Sequence, residues 1–212
     1  MSLQEDWDKF FQERPNGGPW DIENNYNPDL HIVNWAREYN IPSTVRVLDA
    51  GCGDGRNTKY LVSKGCQVVG VDISKTVIDR AAKSIPDATF VHGDVRDLPF
   101  GTGTFDYIID AGALHVNHPD DALFIIEEYH RVLLNVSSSR MFIRVFAVGN
   151  NIKYSYEPIF HVTKDKLPVY GYTVEDFESL IEDHFHINRR TFDPMYGAHG
   201  EGCNYYHLSR KT

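Results

Sequence analysis

Cysteine is scarce in this chain: Cys52, Cys66 and Cys203 are the only three. They are too few and too scattered for a disulfide framework, which suits a reducing, cytoplasmic setting. No apolar run approaches the roughly 18 residues that cross a bilayer. The first ten residues are acidic where a secretory signal would be basic and then apolar, so neither a span nor a signal peptide is expected. Basic residues are also in deficit. Lys and Arg number 21 against 30 Asp and Glu, a formal charge of −9 at pH 7. That balance argues against a nucleic-acid partner, whose phosphates call for a basic face, although a local patch can hide in the average. Internal repeats and low-complexity stretches are missing too. What is there is ordinary: 42% hydrophobic and 24% charged residues over 212 positions. Disorder, collagen and coiled coil are excluded, and one domain with extensions is expected.

Two helices around a break account for the first forty-odd residues. Asp6 to Arg14 is aromatic and charged, Pro15-Asn16-Gly17-Gly18-Pro19 is a strong turn, and Asp29 to Tyr39 is periodic. From Thr44 the texture changes to strands alternating with helices. Strands are expected at Val45–Leu48, Gln67–Val71, Ala88–Val91, Phe105–Asp110 and Met141–Ala147; helices at Asn57–Ser63, Lys75–Lys83 and about Asp120–Leu134. Such alternation argues for right-handed βαβ units and a mostly parallel, doubly wound sheet. Thr173 to Asp183 reads as a helix with Thr173 as N-cap. Two late β-like runs, His186–Phe192 and Asn204–Ser209, follow without a helix between them and suggest an antiparallel hairpin at a sheet edge.

Glycines punctuate the most informative stretch, Asp49-Ala50-Gly51-Cys52-Gly53-Asp54-Gly55, which follows a predicted strand and opens a predicted helix. Backbone amides there face a ligand, and the helix dipole favours negative charge. Asp72 ends the next strand about 20 residues on, where a carboxylate can accept both hydroxyls of a ribose. A dinucleotide fingerprint needs a third glycine where this chain has Arg56. An acid ahead of the loop, Asp49, would repel a pyrophosphate but suits a ligand with an amino group beside its ribose.

The stretch from Asp49 to Gly55 resembles the first motif of class I S-adenosylmethionine-dependent methyltransferases. Gly70-Val71-Asp72-Ile73-Ser74, Gly93-Asp94-Val95-Arg96-Asp97-Leu98-Pro99-Phe100 and Phe105–Asp110 resemble the later motifs, in the family's order. Within the family, Gly55-Arg56-Asn57-Thr58 with Tyr60-Leu61, and Pro19-Trp20-Asp21, are similar to the tellurite-resistance and thiopurine methyltransferase-like branch. The resemblance implies a Rossmann-like, mostly parallel seven-stranded sheet with a C-terminal antiparallel hairpin. It implies an enzyme that uses S-adenosylmethionine and releases S-adenosylhomocysteine. Asp49, Gly51 and Gly53 would hold the methionyl end, Asp72 the ribose and Ile73 a face of the adenine. Asp94 would accept from the adenine amine, the Val95 amide would donate to its ring, and Asp110 would offer a main-chain carbonyl to the methionyl amine. Leu134-Asn135-Val136-Ser137-Ser138-Ser139 departs from the proline-glycine-glycine turn that the family usually carries before its fifth strand.

On this reading residues 1–212 form one domain. Residues 1–43 make an N-terminal helical lid, 44–148 the cofactor-binding core, 149–172 an acceptor-side insert, and 173–212 the last helix and hairpin. The acceptor is expected to be a small molecule, with no nucleic acid and no membrane as partner; a non-catalytic cofactor-binding module is the competing reading. Two aromatic groups could line the acceptor pocket or simply belong to the core: Trp7, Phe10, Phe11, Trp20 and Tyr26, and Tyr154, Tyr156, Phe160, His161, Tyr170 and Tyr172. Trp20 follows an Asn16-Gly17-Gly18 hinge, so a flap over the cofactor is expected there. His115, just past the fourth strand, is the best-placed base or acceptor ligand; the alternative is a structural histidine. No metal site is expected: His118, near His115, lacks a third and fourth ligand, and His184 with His186 reads as a solvated strand edge.

Overall fold

Parallel strands covered on both faces bury successive residues, and the first strand does so with one acid, Asp49, among its apolar residues. In β1 (Arg46–Ala50) every residue after Arg46 is buried. A computed structural model describes residues 2–18, 26–148, 160–162, 167–194 and 202–212. Around β1 lie β2 (Gln67–Asp72), β3 (Thr89–His92), β4 (Tyr107–Asp110) and β5 (Arg140–Ala147), all parallel, in the order β3-β2-β1-β4-β5. β9 (Phe185–Asp193) and β10 (Cys203–Arg210) form the expected antiparallel pair. β10 inserts between β5 and β9, which leaves β9 as the edge. Seven strands therefore make the continuous path, and the two-residue β8 (Gly171–Tyr172) adds an eighth beside β5.

The pleat sorts the core. Leu48, Ile108, Met141, Ile143 and Tyr206 point to one face, against Ile125, Tyr129 and Val132 of α5 (Ala122–Val132) and Phe177 and Ile181 of α6 (Val174–Ile181). Val47, Ile109, Phe142 and Tyr205 point to the other, against Ile32 and Trp35 of α2 (Leu30–Glu38) and Leu61 of α3 (Arg56–Ser63). Burying each such side chain contributes about 1.5–3 kcal/mol. A third cluster joins Trp7, Phe10 and Phe11 of α1 (Leu3–Gln12) to Val77 of α4 (Lys75–Ser84) and to Leu167.

Element boundaries shift by one to three residues from the sequence reading, with three informative differences. Phe105 stands outside β4 as an isolated bridge to Leu133, because its carbonyl takes the Leu134 N–H. Pro119–Asp121 is a 3-10 turn ahead of α5, capped by the His118 side chain, which accepts from the Asp120 N–H. Part of the 149–172 insert is strand: β6 (Phe160–Val162) pairs with β7 (Leu167–Val169). The turn before β5 closes without glycine, since the Arg140 guanidinium binds the carbonyls of Ser137 (2.6 Å) and Ser139 (2.8 Å). Among the described residues no helix is long and apolar enough to cross a membrane.

Candidate active site

Strand order reverses between β1 and β4, and open α/β sheets bind ligands outside the carboxyl ends of their strands at such a switch point. The glycine loop lies there. Gly51 and Gly53 have φ of +66° and +54°, a left-handed backbone that side chains rarely adopt. A Cβ on Gly51 would sit 2.7 Å from the Ala113 Cβ, so the loop presses directly on the turn after β4. A Cβ on Gly53 would meet nothing within 4 Å, so the backbone there borders open space.

Asp49 is buried, and its carboxylate accepts from the Thr58 hydroxyl at 2.6 Å. It thereby stabilises the first turn of α3, whose N-cap Gly55 has no side chain to do so. Burial pushes its carboxyl up to about 7, against the lowering pull of Thr58 and the Arg56 charge. Asp72 closes β2. Its Oδ2 accepts from the Gly53 N–H (3.0 Å) and its Oδ1 from the Ser74 N–H (2.9 Å). Burial raises it to about 6 in spite of those two bonds. Ile73 packs beside the α1 aromatics.

Beyond β3, Asp94 is held by Arg96. The Arg96 Nε lies 3.0 Å from both carboxylate oxygens and its Nη2 2.6 Å from Oδ2. Half-burial raises the Asp94 carboxyl, but the Arg96 side chain and amide outweigh it and hold it low. The Val95 and Gly51 amides donate to no acceptor among the described residues, and so both remain available to a ligand. Asp110 turns its carboxylate inward, to the amides of Gly112, Ala113 and Leu114 and to the Tyr129 hydroxyl (2.9 Å). Its side chain is thereby committed to shaping the turn.

His115 is buried behind that turn, with Nδ1 3.2 Å from the Arg144 carbonyl and its ring edge-on to Phe146. Burial first, and the Arg144 charge second, lower it to about 3. The buried imidazole is neutral at pH 7 and holds a proton poorly, which favours a structural histidine over a base or acceptor ligand. Trp20, Tyr154 and Tyr156 lie outside the described residues, as do the side chains of Phe160 and His161. Tyr170 and Tyr172 are buried, Tyr172 within the core between the sheet and α6, whereas Tyr26 is half exposed. Among the described residues no three metal-ligating side chains cluster.

Sequence reasoning missed three polar contacts that frame this crevice. Arg144 of β5 pairs with Asp29, the N-cap of α2, at 2.8 Å and almost without exposure. Arg80 of α4 grips Asp54 of the glycine loop, and Asp8 of α1 bonds to Ser74. Each joins residues at least 26 positions apart, and no local pattern announces such a pair.

The chain matches the model of a methyltransferase domain over residues 47–135. An uncharacterized methyltransferase of Schizosaccharomyces pombe is 36% identical over 114 residues, which is 51% of this chain and 76% of that protein. The chain belongs to the class I S-adenosylmethionine-dependent methyltransferases. Its cofactor is S-adenosylmethionine. An uncharacterized methyltransferase of Synechocystis is 46% identical over 88 residues, 42% of each chain, so the match spans less than half of that relative. The 1,6-didemethyltoxoflavin-N1-methyltransferase of Burkholderia thailandensis, solved with S-adenosylhomocysteine, shares the fold with a TM-score of 0.77 at 24% identity, over 99% of this chain and 87% of that one. A TehB-like methyltransferase of Corynebacterium glutamicum overlays less closely, with a TM-score of 0.59 at 22% identity over 86% of this chain and 99% of that one. The class is thus established and the tellurite-resistance branch is not. The residues fit the cofactor of this class: two amides have no acceptor among the described residues, the carboxylate at the end of β2 keeps free lone pairs, and the Gly53 backbone borders open space.

Proposed function

We propose that this methyltransferase acts on a small-molecule acceptor bound in the crevice at the carboxyl ends of β1, β2 and β4. One observation carries the reading. Trp7, Phe10 and Phe11 of α1 pack with Leu167 and Val77, and with the partly buried Ile73 and Val116, as an aromatic cover beside the glycine loop. Such a cover suits an enclosed acceptor and excludes water.

When bound, S-adenosylmethionine supplies an electrophilic methyl group on a sulfonium. Transfer then depends chiefly on positioning, which the chain provides. Asp72 accepts the ribose hydroxyls with the lone pairs that Gly53 and Ser74 leave free. Asp94 takes the adenine amine, the Val95 amide donates to the ring, and Ile73 lies against it. The Gly51 and Gly53 backbone borders the methionyl end, which Asp110 meets through its main-chain carbonyl. Asp49 acts through Thr58, as the support of the loop. The lid, core, insert and hairpin work as one domain, and the flap expected at Trp20 falls outside the described residues. His115 forms part of the wall, and a proton lost by the acceptor leaves to solvent or to another group.

A protein acceptor is the second reading. It is favoured by the mouse eEF1A lysine and N-terminal methyltransferase, which is 30% identical over 68% of this chain, although the match covers 20% of that protein. The two separate in one experiment: labelled cofactor offered to a panel of thiols, phenols, amines, halides and oxyanions, and in parallel to a cell-protein extract. Label in small-molecule products is the expected result. Label in protein alone overturns the proposal, and transfer to neither, with the cofactor still bound, identifies a non-catalytic module.

A further inference from the structure

One guanidinium joins the N-terminal helix to the glycine loop. Arg80, on the face of α4, donates from Nε to Asp54 Oδ1 (2.7 Å) and from Nη2 to Asp54 Oδ2 (3.0 Å). Its Nη1 donates to the carbonyls of Phe11 (3.2 Å) and Arg14 (2.9 Å) at the C-terminal end of α1. Both carbonyls also accept backbone N–H bonds, Phe11 from Arg14 and Arg14 from Gly17, and the partial negative charge at a helix's C-terminal end favours a cation there. The same cation forks onto a carboxylate inside the loop, a geometry that lysine cannot reproduce.

A second fastening lies one turn back along α1. Asp8 Oδ1 accepts from the Ser74 hydroxyl (2.7 Å) and from the Thr76 N–H (3.0 Å). Ser74 is the residue whose N–H donates to Asp72. Between the two fastenings Trp7, Phe10 and Phe11 form a rigid wedge, with ring centroids 5.1–5.9 Å apart. α1 is therefore bonded to the two stretches that frame the cofactor, the glycine loop through Asp54 and the turn after β2 through Ser74.

We propose that Arg80 is a positioning residue which couples the docking of α1 to cofactor binding, with Asp8 as its second anchor. Any ligand that orders the glycine loop and the Asp72–Ser74 turn then also tightens α1, and by reciprocity a docked α1 raises affinity for that ligand. This rests on the cofactor site described above.

The test uses the full chain, with S-adenosylhomocysteine as the probe. Hydrogen exchange in residues 3–12 is measured with and without it, and its Kd by calorimetry, for the wild type, Arg80→Gln, Arg80→Lys and Asp8→Asn. The probe should slow α1 exchange about tenfold in the wild type. Arg80→Gln should lose that slowing and weaken binding about tenfold, a size typical of such couplings. Arg80→Lys should recover only part of both. Asp8→Asn leaves the Arg80–Asp54 fork in place and should show a smaller loss of the same kind, which keeps the inference testable if Arg80→Gln fails to fold. Wild-type α1 exchange indifferent to the probe, or variants that bind and protect like the wild type, overturns the coupling. A wild type that binds no S-adenosylhomocysteine overturns the cofactor reading itself, which is a separate outcome.

Discussion

Replacing Asp72 by asparagine removes one charge and leaves the side chain's size intact. The folded chain penalises that charge: burial moves the carboxyl from 3.8 to about 6, and two pH units correspond to about 3 kcal/mol against the ionised form at neutral pH. Asparagine escapes this penalty. It also turns an NH2 toward either the Gly53 or the Ser74 amide, losing one of the bonds at 3.0 and 2.9 Å, at a cost of about 1–3 kcal/mol. The two effects oppose each other, so stability should stay within about 2 kcal/mol of the wild type. Binding has no such compensation. Losing two charge-assisted bonds to ribose hydroxyls should weaken S-adenosylhomocysteine by about 2–3 kcal/mol, or roughly 30- to 150-fold in Kd. Calorimetry at pH 7.5 beside a thermal melt reads both quantities. Wild-type affinity should also fall as pH drops below about 6, where Asp72 takes up the proton that a ribose acceptor must lack, and Asp72→Asn should abolish that slope. Affinity within twofold of the wild type, or a slope that survives the substitution, would refute the role given to Asp72.

Three further outcomes are expected. In the ligand-free protein, Asp49 and Asp72 keep protons that the unfolded chain has released, so their stabilising contribution is complete below about pH 4 and is lost as pH rises through about 6 to 7; melts from pH 4.5 to 8 should show that decline, and Asp49→Asn should flatten its upper part. Gly53→Ala should cost only about 1–2 kcal/mol of stability for its left-handed φ yet weaken cofactor binding markedly, whereas Gly51→Ala, with a Cβ 2.7 Å from Ala113, should chiefly destabilise; equal effects of the two on both readouts would contradict the open space at Gly53. Arg144→Ala should cost about 3–5 kcal/mol in denaturant unfolding because it strands the buried Asp29 carboxylate, and Arg144→Met combined with Asp29→Leu should restore much of it.

The parallel core was legible because each of its signals is local. Val47-Leu48, Val68-Val69 and Ile108-Ile109 are apolar runs that suit strands buried on both faces. Asp49, Gly51, Gly53 and Asp72 stood out in the sequence by spacing and context, and in the structure the Gly53 amide donates to Asp72 while Asp49 holds Thr58. Thr173 as the N-cap of α6 was likewise readable, and its hydroxyl accepts from the Asp176 N–H at 3.0 Å. The 160–162 and 167–169 strands were not, since three-residue strands carry too little periodicity to register. His115 shows the limit from another side. Its place after β4 suggested a base or acceptor ligand, and only the folded surroundings, burial first and the Arg144 charge second, lower its affinity for a proton.

By itself, then, the sequence determined the order of the parallel strands' elements, the glycine loop and the acids at the ends of β1, β2 and β4, because backbone conformation and strand burial depend on near neighbours. Local chain geometry turns Asp110 to its own turn, Asp94 to Arg96 and one oxygen of Asp72 to Ser74. Tertiary structure set the other Asp72 oxygen against the Gly53 amide. It alone also set Arg80 between α1 and the loop, and Arg144 against Asp29 across 115 positions of chain. Hydrogen bonds and ion pairs of that kind form only once packing has brought distant segments within about 3 Å, and burial then fixes which carboxylates keep their protons.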